Sequence, residues 1–396
     1  MRVIATNLEV TNGAQLSAST FGIGDAGNVI LRISETARFD GVNQFTEINP
    51  SGAFSSVQPG GEGKGGNVEL SARNLEVTNG ATLSASTFGR GDAGNVILTI
   101  RETARFDGVN PFGGISASGA FSSVEPNGEG QGGNVELSTK NLEVANGATL
   151  GAATFGRGDA GNVILTIRET AHFDGVNPFT EINPSGAFSG VAPNSEGQGG
   201  NVELSAKNLE VTNGAQLQST TFGRGDAGNV ILTISETARF DGVNPFGGIS
   251  ASGAFSTVEP NGEGQGGNIE LSVRNLEVTN GAQLSAATFG RGDAGNIILN
   301  VLERIRIDNA TINTTALTAS GGRINITAGN LVLRNDGDIQ TAVGSGAGRG
   351  GDITIIANFV IALEDSDILA FSADGLGGNI DLSQTTLFSQ NLNLAS

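Results

Sequence analysis

Apolar and polar residues alternate along this chain in short bursts. Asn67-Val-Glu-Leu-Ser-Ala72, Asn74-Leu-Glu-Val-Thr78 and Ala81-Thr-Leu-Ser-Ala-Ser86 each keep the two-residue period of a strand. Asn79-Gly80, suited to positive φ, and the glycine-rich run Phe88-Gly-Arg-Gly-Asp-Ala-Gly94 separate them. No segment keeps helical spacing. The pattern predicts three short strands, with Val68, Leu70, Leu75, Val77, Leu83 and Ala85 inward and Glu69, Ser71, Glu76 and Ser84 facing water.

The bursts return at a fixed interval. Asn-Leu-Glu-Val begins at Asn7, Asn74, Asn141, Asn208 and Asn275, always 67 residues apart. Between the copies starting at Asn67 and Asn201 only seven residues differ: Arg73 becomes Lys207, Thr82 Gln216, Ser84 Gln218, Ala85 Ser219, Ser86 Thr220, Arg101 Ser235 and Ser123 Thr257. A Gly-Asn pair before a β-branched residue subdivides the period, recurring from Asn28 to Asn296 at alternate steps of 39 and 28. It persists in degenerate form at Arg323, Asp352 and Asn379. Fixed repetition makes each unit a module that completes its core only against its neighbours. A coil of about 27 residues with three strands predicts one rung of a parallel β-helix, all-β, with about 12–13 rungs and a length on the order of 60 Å. We read one elongated domain, with tandem copies over 1–295 and degenerate rungs over 296–396. Met1 aligns with Val68 one period on, inside a strand and with no signal peptide before it, as expected for a segment of a longer chain.

The long sub-unit follows the same plan. Phe106-Asp107-Gly108 takes the place of Thr78-Asn79-Gly80, and Ile115-Ser-Ala-Ser118 that of Leu83-Ser-Ala-Ser86. Its 11 extra residues are read as four before Ile115 and seven after Ser118. They predict a row of loops about 10 Å apart along one side. Copies one and three carry Phe45-Thr-Glu-Ile-Asn-Pro50 and Phe179-Thr-Glu-Ile-Asn-Pro184, whereas copies two and four carry Phe112-Gly-Gly-Ile-Ser116 and Phe246-Gly-Gly-Ile-Ser250. A duplicated pair of copies accounts for that alternation.

Composition narrows the classes of function. Asp and Glu number 40 against 21 Lys and Arg, a net charge of -19 that argues against nucleic-acid partners and anionic lipid. No run of 18 apolar residues spans a membrane, so direct insertion is not expected. Without cysteine there are no disulfides and no thiol chemistry, which leaves the compartment open. The 20 Phe, with no Trp or Tyr, are expected mainly as core and turn filler, in columns such as those of Phe88 and Phe106. Asn67 and its equivalents are expected to form a ladder.

Rungs such as Gly322-Arg-Ile-Asn-Ile-Thr-Ala-Gly-Asn-Leu-Val-Leu-Arg-Asn-Asp-Gly-Asp-Ile339 and Gly351-Asp-Ile-Thr-Ile-Ile356 resemble the repeat regions of filamentous haemagglutinin-type exoproteins, the large two-partner-secretion adhesins, of cyanobacterial kind. The resemblance covers essentially the whole chain. It implies a right-handed parallel β-helix, secretion to the cell surface through an outer-membrane partner, and adhesion. The expected function is therefore a structural or adhesive rod, contacting a polysaccharide, a cell receptor or another extracellular surface. A passive spacer is the alternative and a polysaccharide-active enzyme a remoter one.

Four Arg-Gly-Asp triplets are candidate receptor contacts: Arg90-Gly91-Asp92, Arg157-Gly158-Asp159, Arg224-Gly225-Asp226 and Arg291-Gly292-Asp293. The plainer reading gives Gly the turn and leaves Arg and Asp to solvate it, since copy one reads Ile23-Gly24-Asp25. The same turn, Gly89-Arg-Gly-Asp-Ala-Gly-Asn-Val-Ile-Leu98, echoes calcium-binding nonapeptides. Those sites need facing turns every nine residues, and the alternate rung reads Gly128-Glu-Gly-Gln-Gly-Gly133, so no cofactor or metal site is assigned, and at most weak surface calcium binding by stacked acids is expected. Glu69, Glu76, Asp92 and Asp107 repeat with the lattice rather than clustering, and His172 stands where other copies have Arg38, Arg105 and Arg239 on a solvated position. Catalysis is not expected. An ice-binding threonine ladder is disfavoured because Thr99 and Thr166 alternate with Ser71 and Ser138.

Overall fold

A computed structural model describes residues 1–113, 116–248, 250–345, 348–390 and 394–395. The chain winds as a parallel β-helix. Two hydrogen-bonded sheets, of 16 and 13 strands, run its length, and in both the neighbours are equivalent segments of successive rungs. Each sheet carries thirteen positions along its path, which fits the expected rung number. The ladder crosses the end of the tandem copies unbroken, from Ile269 through Ile297 and Ile324 to Ile353.

The first two predicted strands of a rung are one. Val68–Thr78 runs through both bursts, with its pairing register shifted between Ala72 and Asn74. Its partner Val96–Asp107 is one residue longer, and the shift absorbs the difference. The third strand is only Thr82–Ser84, held between Gly52–Phe54 and Gly119–Phe121. Isolated parallel bridges such as Val57 to Thr87 and Glu62 to Arg90 complete the wall.

All six predicted inward side chains are at most 2% exposed. Glu69, Ser71 and Glu76 lie half-buried. Ser84 corrects the expectation, being 7% exposed: Phe54 and Phe121 flank it in the ladder, and its hydroxyl lies 3.2 Å from that of Ser86. Phe106 pairs with Val77 and Val144, not Thr78, and Asp107 faces Thr78. Phe39, Phe106, Phe173 and Phe240 are wholly buried, so this core column alternates Phe with Val. The asparagine ladder forms as expected. Asn28 Oδ1 accepts Asn67 N at 2.9 Å, Asn67 Oδ1 accepts Asn95 N at 2.9 Å and Asn95 Oδ1 accepts Asn134 N at 2.8 Å; Asp352 plays the same part for Asn379 N.

The insertion divides differently from the prediction. Gly119-Ala120-Phe121, not Ile115–Ser118, lies opposite Thr82–Ser84, and Ile115 itself is outside the described residues. Residues 108–113 and 116–118 lie in the loop where the short rung uses 79–81, and 122–133 lead back to the next marker where it uses 85–94. Ser118 explains the boundary: its Oγ donates to Asp107 O and accepts from Gly80 N, both at 2.8 Å, closing the loop just before the strand. Ser185 and Ser252 do the same in later copies.

A candidate binding groove beside the loop row

The four loops stand on one side, and each exposes its phenylalanine: Phe45, Phe112, Phe179 and Phe246 are between 48% and 98% exposed. A buried asparagine organises each later loop. Asn110 Oδ1 accepts Phe112 N at 3.0 Å, and its amide donates to Glu47 O of the previous loop at 2.6 Å. Asn244 repeats this with Phe246 N and Glu181 O. The loop of copy two is therefore tied to that of copy one, and the loop of copy four to that of copy three. A Cβ on Gly248 would lie 2.3 Å from Asn244 Nδ2, so the Gly-Gly copy makes room for the tie.

Between the loop row and the glycine-rich turns runs a groove of about 640 Å³, spanning Gln15 to Phe155. Its floor is the outer face of the short strands. In every long rung Phe54, Phe121, Phe188 and Phe255 point outward there, while Ala53, Ala120, Ala187 and Ala254 fill the core behind. Each ring leans back over its strand's own glycine. Phe54 Cε2 and Cζ come 2.9 Å from where a Cβ on Gly52 would sit. The wall is Phe21, Phe88 and Phe155 from the turns. The Phe88 series is thus turn filler only in part: Phe21, Phe155, Phe222 and Phe289 are 41% to 76% exposed.

Glu125 also lines the groove and accepts a hydrogen bond from Ser86. Desolvation raises its pKa above the ordinary glutamate range, and the Ser86 bond only partly offsets it. A carboxyl harder to ionise folded than unfolded contributes full stability in acid and loses it as pH rises through the unfolded and then the folded pKa. Glu125→Gln should therefore raise the unfolding temperature at neutral pH and leave it unchanged below the glutamate range. Thermal melts followed by circular dichroism at both pH values check this.

The triplets lie on the flat turn wall. Arg90 and Arg157 flank Glu129 at 3.5 and 3.4 Å, and Arg224 and Arg291 flank Glu263 at 3.8 and 3.0 Å. These Arg side chains are at least 72% exposed. Each aspartate is engaged by the next rung. Asp92, Asp159 and Asp226 Oδ1 accept the backbone N of Gln131, Gln198 and Gln265 at 3.0, 2.8 and 2.7 Å, and Asp293 accepts Ser320 N at 2.9 Å. Gly91, Gly158, Gly225 and Gly292 hold φ of +128° to +136°. His172 is half-buried rather than solvated, its Nε2 3.4 Å from Thr212 Oγ1.

Among the described residues no group of three or more His, Asp or Glu converges as metal ligands. Burial raises the pKa of Asp338 first; the bond its Oδ1 accepts from Asp367 N at 2.9 Å lowers it in part, and the nearby charges of Asp367, Asp336 and Asp365 raise it further. A hollow of about 850 Å³ lies elsewhere, at the bend of the long strands around Ser235. In other copies Arg101 and Arg168 lay their guanidinium groups across that bend to the Ser34 and Arg101 carbonyls. Its charged rim is already paired, Lys207 with Glu169 and Arg274 with Glu236 and Glu303. Among the described residues no helix is long and apolar enough to cross a membrane. No family model, curated protein or solved structure compared with the chain matches it.

The sequence reading missed the Phe54 series. Its signal was present: Gly-Ala-Phe recurs in every long rung, and of the seven differences between copies two and four, Thr82, Ser84 and Ser123 line the groove and Ser86 meets Glu125 there.

Proposed function

We propose that this chain is an adhesive shaft of a secreted or surface-tethered bacterial exoprotein, exported through an outer-membrane partner and attaching along its loop side. One observation carries the reading: a row of loops, each with an exposed phenylalanine, recurs every second rung on the same side of an otherwise regular rod. Exposed aromatic side chains in a periodic row are unusual on a surface without a partner. A shaft needs only the core pattern; the loops add apolar surface that the core does not use. The proposal puts contact on the loops rather than on the Arg-Gly-Asp triplets, whose aspartates bind the backbone, and assigns no catalytic step.

The test compares the full chain with a variant in which residues 42–50, 109–117, 176–184 and 243–251 are each replaced by an Asn-Gly turn. Adhesion of purified protein to bacterial cells and to immobilised polysaccharide is expected to fall at least tenfold in the variant. Equal adhesion by both would leave the loops without a role, and adhesion by neither would make the rod a passive spacer.

A further inference from the structure

The groove has an order that the loop row alone does not explain. Along its floor the ladder register places Ser17, Phe54, Ser84 and Phe121 in one column. Along its wall the bridges Thr20 to Val57, Val57 to Thr87, Thr87 to Val124 and Val124 to Thr154 align the residues that follow them, Phe21, Gln58, Phe88, Glu125 and Phe155. The two columns are out of phase. A long rung offers a floor Phe and a wall polar group, Gln58 or Glu125; a short rung offers a floor Ser and a wall Phe. Each rung therefore presents one aromatic ring and one hydrogen-bonding group, and the two exchange places at every step of about 4.8 Å.

We infer that this groove binds an extended, neutral polysaccharide of β-linked sugars, lying along the rod. The inference rests on the adhesive reading and names its ligand class. An extended β-1,4-linked chain turns each sugar over relative to the last, so its hydroxyl edges alternate sides at a spacing close to one rung while its C–H faces remain open to stacking. The checkerboard matches that alternation, ring for face and polar group for edge. No Lys or Arg lines the groove, and Glu125 stands within it, which disfavours an anionic glycan. Aromatic platforms with a few convergent polar groups are what a sugar chain requires.

The pattern is also bounded. In copy three the floor and wall lose their polar groups at Gly151 and Ala192, which continue the two columns. In copy four larger side chains, Gln216 and Gln218, take the places of Thr82 and Ser84, with Gln216 donating to Ala251 O at 3.0 Å and Gln218 to Gln216. One complete track, over Gln15 to Phe155, is expected.

Binding is tested on the full chain by calorimetric titration with cellohexaose, xylohexaose and mannohexaose, with maltohexaose as the α-linked control. At least one β-linked hexasaccharide should bind tenfold or more tightly than maltohexaose. Phe88→Ala with Phe121→Ala should lower that affinity at least tenfold while leaving the circular dichroism spectrum unchanged. Ser84→Gln with Thr82→Gln, which copies the filled groove of copy four, should also abolish binding and leaves every phenylalanine in place. Absence of binding by all three β-linked sugars, equal binding of maltohexaose, or unchanged affinity in both variants overturns the inference. Concentration-dependent dimerisation lost in the phenylalanine variant would overturn it in favour of a second copy of this chain. Adhesion to cells that persists with no sugar binding removes this inference alone; loss of both removes the adhesive reading too.

Discussion

Gly158→Ala should unfold the rungs around it, at a cost of about 3 kcal/mol or more. Two effects act together. The backbone there has φ +130°, where a side chain is strained, and a Cβ would stand 1.8 Å from Gly130 O in the adjacent rung. The obstacle is backbone fixed by parallel pairing on both sides, so no side chain can swing away. Gly175 isolates the first effect: its φ is +74°, but nothing lies within 4 Å of the added atom. Gly175→Asn should therefore cost only about 1 kcal/mol or less, since asparagine tolerates the left-handed region. A solenoid loses structure locally before it loses it globally, so amide hydrogen exchange is the appropriate measurement. Protection of amides in the Gly130 and Gly158 rungs should fall on the order of 100-fold in the first variant, following from about 1.4 kcal/mol per tenfold. Unchanged protection would mean that the turn wall is not packed rung on rung as described.

Gly158 also marks where sequence reading stopped short. The triplet drew attention to Arg157 and Asp159, the residues with chemistry. In the folded wall the glycine permits the stacking, the aspartate binds the next backbone and the arginine joins a charged column with Glu129. Such exposed pairs contribute little individually.

The repeat and its alternation were enough to read the parallel β-helix, the rung number, the inward residues and the asparagine ladder, because each follows from period and polarity alone. What they could not supply was register. Ile115-Ser-Ala-Ser118 and Gly119-Ala-Phe121 both alternate, and only the closure by Ser118 decides which becomes the strand. The merging of two bursts into Val68–Thr78 was hidden because a bulge preserves alternation on either side. The groove was illegible for a related reason: its checkerboard joins residues 30 or 37 positions apart, visible only once the rungs are superposed.

The phenylalanines show the same limit, and their roles can be separated by mutation. Phe106, Phe88 and Phe121 each recur at the same 67-residue period, so spacing alone cannot say which are core. Phe173, of the first series, is wholly buried and pairs with Val144 and Val211, a residue smaller by several heavy atoms on either side. Phe173→Ala should cost about 3–5 kcal/mol. The upper part of that range is expected because the surrounding walls are fixed by inter-rung hydrogen bonds and cannot collapse into the void. Phe173→Leu keeps most of the volume and should cost less than about 1.5 kcal/mol. Phe155, from the turn series and 46% exposed, should cost less than about 1 kcal/mol on truncation to alanine, so any binding defect it shows would belong to the groove and not to the fold. Urea denaturation, read together with amide exchange at Val144 and Val211, separates these outcomes. Equal losses for Phe173→Ala and Phe155→Ala would contradict the division of the aromatic residues between core and groove.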